Sequence, residues 1–124
     1  MTVGRGLLLV AALVAATGCV DQNAPADCGE ASVTRELTLT GTELSGDPPN
    51  VCRGQQVILG FIADGDGVLH IHGYDAQVPA TEYQADERVE LTFEASVAGQ
   101  FPIEIHTAEN TEGQQIGIFT VHER

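Results

Sequence analysis

Apolar residues fall on every second position along most of this chain, and that period of two is what most restricts its fold. Arg88 to Glu94 alternates with Val89, Leu91 and Phe93 on one side, and Gly99 to His106 does so with Phe101, Ile103 and Ile105. Successive side chains point to opposite faces only in an extended strand. Val33 to Thr40 alternates around Leu37 and Leu39, and Gln115 to His122 forms a last strand. Gln55 to Ala63 is apolar on both parities, as in a strand covered on two faces. No segment carries the 3.6-residue period of an amphipathic helix. Gly46-Asp47-Pro48-Pro49-Asn50 and Asp64-Gly65-Asp66-Gly67 are turns, the second lacking the remaining positions of a calcium loop. Six or seven short strands separated by turn signals predict an all-β Greek-key sandwich. Its core is expected from Leu37, Leu39, Val57, Leu59, Phe61, Leu69, Ile71, Leu91, Phe93, Phe101, Ile103, Ile105 and Phe119. Pro102, inside a strand, predicts a break or an edge position there.

The first residues are excluded from that fold. Arg5 precedes an apolar stretch from Leu7 to Ala16, too short to span a bilayer as a mature helix, and Ala16-Thr17-Gly18 leads to Cys19. Residues 1–18 therefore read as a secretory signal peptide. Cys19 at the cut is similar to the lipidated cysteine of a bacterial lipobox, although a larger aliphatic residue is more usual where Ala16 stands. A plain signal peptide cut nearby is the alternative. Lipid on Cys19 would anchor the protein in the bacterial cell envelope, on the periplasmic or extracellular face. Residues 19–32, polar and small with Asn23-Ala24-Pro25-Ala26, would be the flexible tether, and residues 33–124 the single domain.

With Cys19 taken by lipid, Cys28 and Cys52 remain as an even pair in an oxidising compartment, where a disulfide is expected. Closing that loop stabilises by roughly 3–4 kcal/mol in the chain-entropy model. Neither cysteine is then a candidate ligand or nucleophile. The formal net charge is −13, with 18 acidic residues against five arginines and no lysine. Such a surface repels phosphate, which argues against nucleic acid as a partner, and it attracts cations. Solubility, or life in salt, explains the charge as well.

Four histidines carry the candidate chemistry. In Val68-Leu69-His70-Ile71-His72-Gly73-Tyr74, alternation sends His70 and His72 to one face. The two are about 6.6 Å apart along the backbone, close enough for both rings to reach one ion at about 2 Å. His-x-His alone is weak evidence, since two histidines on a wet face look the same. His106 ends another strand, with Glu104 on its face. If the two strands are neighbours, His70, His72 and His106 form a three-nitrogen metal site that Glu104 or water completes. His122, beside the C-terminus, is expected to be a solvated end residue.

The order of several pieces resembles a cupredoxin. These are Gly54 to Leu59, then Leu69-His70-Ile71-His72-Gly73-Tyr74, then Leu91 to Phe101, then Gly117-Ile118-Phe119-Thr120-Val121. The likeness runs toward the copper-domain type of cytochrome oxidase subunit two and nitrous-oxide reductase. It implies a first copper ligand at His72 and a second ligand position at His106. The departures are instructive. Electron-carrying cupredoxins place a cysteine where His106 stands, with a histidine and a methionine in the following loop. Thr107 to Gln114 contains neither, and Gln115 falls about where the axial methionine would be. Without a thiolate, the strong copper–sulfur covalency of a blue site cannot arise. The expectation is an envelope lipoprotein that binds, stores or delivers copper as Cu(II), or zinc, through His70, His72 and His106, with Glu104 and Gln115 as further candidate ligands. The alternative is a metal-free protein-binding or structural module of the envelope. No separate acid–base pair supports reading the chain as an enzyme.

Overall fold

The computed structural model describes residues 23–124, so the expected signal peptide and Cys19 lie outside the described residues. Among the described residues, nine strands form two mixed sheets and there is no helix. The strands are β1 (Ser32–Thr40), β2 (Glu43–Gly46), β3 (Asn50–Cys52), β4 (Gln56–Ala63), β5 (Gly67–Ile71), β6 (Thr81–Tyr83), β7 (Val89–Glu94), β8 (Gly99–His106) and β9 (Gln114–His122). One sheet runs β2-β1-β4-β7 and the other β3-β9-β8-β5-β6. Pairing is parallel for β1 with β4 and for β3 with β9, and antiparallel elsewhere.

The period-two pattern becomes the core as expected. Leu37, Leu39, Val57, Leu59, Phe61 and Phe93 of the first sheet face Leu69, Ile71, Ile103, Ile105 and Phe119 of the second, all buried. Leu91 and Phe101 only pack against this core, half-buried: β7 is an edge strand, and Phe101 lies near the start of β8. β4 is covered on one face rather than two. Val57, Leu59 and Phe61 are buried while Ile58 and Ile62 are half-exposed. Outward-facing Gly60 lies beneath the bidentate ion pair of Glu36 and Arg88, whose Nη2–Oε1 distance is 2.6 Å.

Three short strands, β2, β3 and β6, carried too few residues for a period to be read. Pro102 is not at an edge, because β8 is flanked by β9 and β5. His72 donates its backbone N–H to the Pro102 carbonyl at 3.0 Å, so the polar groups of Pro102 face β5, whose ladder has already ended at Ile71. The missing donor falls where no strand needs it.

Cys28 and Cys52 are joined by a disulfide, their Cα atoms 5.3 Å apart. The described part of the expected tether is pinned to the domain. Fully buried Gln55 donates from Nε2 to the carbonyls of Asp27 (2.8 Å) and Glu30 (2.9 Å), while its Oε1 accepts the Cys52 N–H at 2.7 Å. Arg35 adds an ion pair with Asp27 at 2.9 Å.

Candidate metal site

The site is built where β5 and β8 run side by side. Their register sets His70 opposite Glu104 and Val68 opposite His106. Directly paired residues share a face, and residues two apart return to it. His70, Glu104 and His106 thus emerge together on the outer face of the five-stranded sheet. One ligand atom from each lies within 4.8 Å of the other two. These three are the only such group among the described residues.

His72 stands beside this group rather than within it. β5 ends at Ile71, and His72 begins a turn in which Gly73 takes φ +90°. A side chain at Gly73 would meet the Phe101 ring at 2.6 Å. The His70 and His72 rings lie 4.4 Å apart, centroid to centroid, and His72 Nε2 is 3.1 Å from Glu104 Oε2. His72 is the most open of the three rings, with 47% of its side chain exposed against 21% for His70. Gln115 is the registered neighbour of Glu104 on the β9 side and is exposed. It is not part of the converging group. His122 is half-buried rather than a solvated end residue: it pairs with Cys52 across β3 and β9, and its Nε2 is shielded from water. The end of the chain is a paired strand, which its sequence position did not reveal.

Three residues of the site escaped sequence reasoning. Asp75 returns from the turn, and its Oδ1 contacts His70 Nε2. The turn is held because Tyr74 is fully buried. Its hydroxyl donates to the Val97 carbonyl and accepts the Val97 N–H, and its ring meets those of Phe93, Phe101 and Phe119 edge-on. Burial pushes the Tyr74 phenol up from its ordinary value. The hydrogen bond from His70 holds the Asp75 carboxyl below the usual range. Thr111, in the loop between β8 and β9, accepts from His106 Nδ1 at 3.1 Å. Gly113 completes that loop at φ +101°, where a Cβ would strike the Glu104 carboxylate and lie 2.8 Å from His106 Cε1. Glycine after a polar loop was the one available signal, and it is common to most turns.

The donor set is two imidazoles and a carboxylate, with no sulfur. Both described cysteines are tied in the disulfide. Such a set suits Cu(II) or Zn(II) and is incompatible with a blue copper centre. Bonds of about 2 Å to one ion place ligand atoms roughly 3.3 Å apart in a tetrahedron. The three ligand atoms lie within 4.8 Å of one another, and His106 Nε2 and Glu104 Oε1 are already 3.0 Å apart. The donors are open enough for an ion to enter, Glu104 being 21% and His106 37% exposed.

No protein-family profile matches the sequence, and neither does any curated protein. Solved structures do match in fold. A multi-copper oxidase from Pseudomonas thermotolerans superposes with a TM-score of 0.58 at 20% identity, over 75% of this chain. This chain spans only 30% of the length of that oxidase. A heme-copper terminal oxidase, seen as a dimer, matches with a TM-score of 0.59 at 9% identity, covering 91% of this chain and 78% of its own. The fold is all-β and cupredoxin-like.

Proposed function

We propose that this protein is an envelope-anchored copper module, which binds Cu(II) through His70, Glu104 and His106 for storage or delivery. The observation that carries this is the contact between His106 and Glu104. His106 spends its Nδ1 proton on the Thr111 carbonyl, so in the neutral ring Nε2 presents a lone pair. That nitrogen lies 3.0 Å from Glu104 Oε1, which also carries only lone pairs when ionised. Two acceptors at that distance repel one another, and a metal ion held between them relieves that repulsion. His70 supplies the third donor to the same spot. The acidic surface favours approach of the ion. Copper is preferred to zinc because imidazole-rich sites bind Cu(II) more tightly and because the fold likeness runs to structures of copper-containing oxidases. His72, beside Glu104 and open to water, is the group that would hand the ion in or out.

Anchoring rests on the sequence Ala16-Thr17-Gly18-Cys19 and the apolar stretch before it. Labelled fatty acid should enter the mature protein and fail to enter Cys19→Ser. Equal labelling of the two would remove the lipid from this reading.

Equilibrium dialysis against Cu(II) and Zn(II) tests the metal. Stoichiometric uptake of one ion, lost in His106→Ala, is the expected result. The competing account has the histidines bonded only to carboxylates, in a metal-free module that docks on another protein. His70 with Asp75 and His72 with Glu104 are the contacts that favour it. No uptake of either ion would decide for that account.

A further inference from the structure

We infer that Asp75 and Thr111 fix the two converging histidines as opposite tautomers, so that His70 offers Nδ1 to the shared ion and His106 offers Nε2. For the ion, this deepens the copper reading above and rests on it. For the tautomers it stands alone.

Each acceptor dictates a proton. A carboxylate that is ionised can only accept, so the His70 nitrogen against Asp75 Oδ1 must carry the hydrogen, and that nitrogen is Nε2. A backbone carbonyl can only accept, so the His106 nitrogen 3.1 Å from the Thr111 oxygen carries its hydrogen, and that nitrogen is Nδ1. The remaining nitrogen of each neutral ring is the one with a free lone pair. Metal-bound histidines commonly donate their other ring N–H to a carboxylate or carbonyl, which sets both tautomer and ring orientation. Here one partner of each kind is present, on opposite ring edges of the two histidines.

The two partners come from different loops, and neither sits on the strands that carry the ligands. Asp75 follows the turn held by buried Tyr74. Thr111 belongs to the loop closed by the Thr107 N–H donating to the Asn110 carbonyl at 3.1 Å. Asp75 is thus a positioning residue, acting on the ion through His70. It lies outside the group of ligand atoms that converge.

The test is imidazole 1H–15N correlation on uniformly 15N-labelled protein at about pH 8, where free imidazole is neutral. In the metal-free protein His70 should be the Nε2–H tautomer and His106 the Nδ1–H tautomer. Asp75→Ala should return His70 to a mixture while leaving His106 unchanged. Asp75→Asn, which keeps an accepting oxygen, should largely preserve the Nε2–H form. On adding Zn(II), a diamagnetic probe, the shifted nitrogens should be His70 Nδ1 and His106 Nε2. Asp75→Ala should lower zinc affinity by about 10–100-fold. Finding His70 as Nδ1–H, zinc on its Nε2, or an Asp75→Ala protein with unchanged tautomer and affinity would overturn the inference. Both tautomers as stated with no zinc uptake would overturn the metal reading while upholding the positioning role.

Discussion

The Nε2 of His106 and the Oε1 of Glu104 face one another at 3.0 Å, although their residues leave the same face of β8 two positions apart. The other Glu104 oxygen is 3.1 Å from His72. The carboxylate therefore stands between two histidines and opposite a third, and it is the pivot of the site. Glu104→Gln, His70→Ala and His106→Ala should each weaken Cu(II) binding by at least about 100-fold, since losing a direct ligand costs no less than losing an outer partner. His72→Ala should cost less, and His122→Ala nothing. Competition titration against a chelator of known affinity measures this, and the bound copper should show no intense blue band.

Gly113 gives the site its room. Gly113→Ala should destabilise the fold by about 1–3 kcal/mol through its positive φ, and it should also lower metal affinity by displacing Glu104. Gly41→Ala is the control: its φ is +61° but nothing stands within 4 Å of a new Cβ. It should cost stability without touching metal uptake. Urea unfolding and titration of both variants separate backbone strain from crowding.

Tyr74 ties the turn after β5 to the loop before β8. Tyr74→Phe keeps the aromatic cluster but strands both polar groups of Val97. A loss of about 1–2 kcal/mol in denaturant unfolding is expected, since these groups are only partly buried.

Gln55 makes three hydrogen bonds from a fully buried side chain. Gln55→Leu is close in volume but leaves the Cys52 N–H without an acceptor. The expected cost is about 3 kcal/mol, together with faster proteolysis of residues 23–31.

Arg35 holds the Asp27 carboxyl below its ordinary value, chiefly by a hydrogen bond. A depressed folded-state value contributes stability that is present above the unfolded value, near 3.9, and is lost as pH falls through the folded one. Asp27→Asn should therefore cost stability at neutral pH, by no more than about 1 kcal/mol because the Asp27 side chain is 36% exposed. The difference between wild type and variant should shrink as pH falls below the unfolded value, as the Asp27 carboxylate is protonated. Thermal melts across that range give the comparison.

Alternation along the chain determined most of the longer strands and most of the core, because side-chain direction in an extended segment depends only on the parity of each residue. The same rule put His70 and His72 on one face of their strand and Glu104 with His106 on one face of theirs. The cysteine count led directly to the Cys28–Cys52 bond. Which faces would meet was not a local property. His72 and Glu104 are 32 residues apart, and they come together only because β5 pairs with β8 in one register. A shift of one residue would have sent His70 to the core side and Ile71 to water. That register brought Glu104 into the converging group, where the sequence favoured three histidines. Asp75, Thr111 and Gly113 were invisible for a related reason. They lie in loops, where no period constrains direction, and buried Tyr74 together with the turn around Asn110 aims them at the histidines.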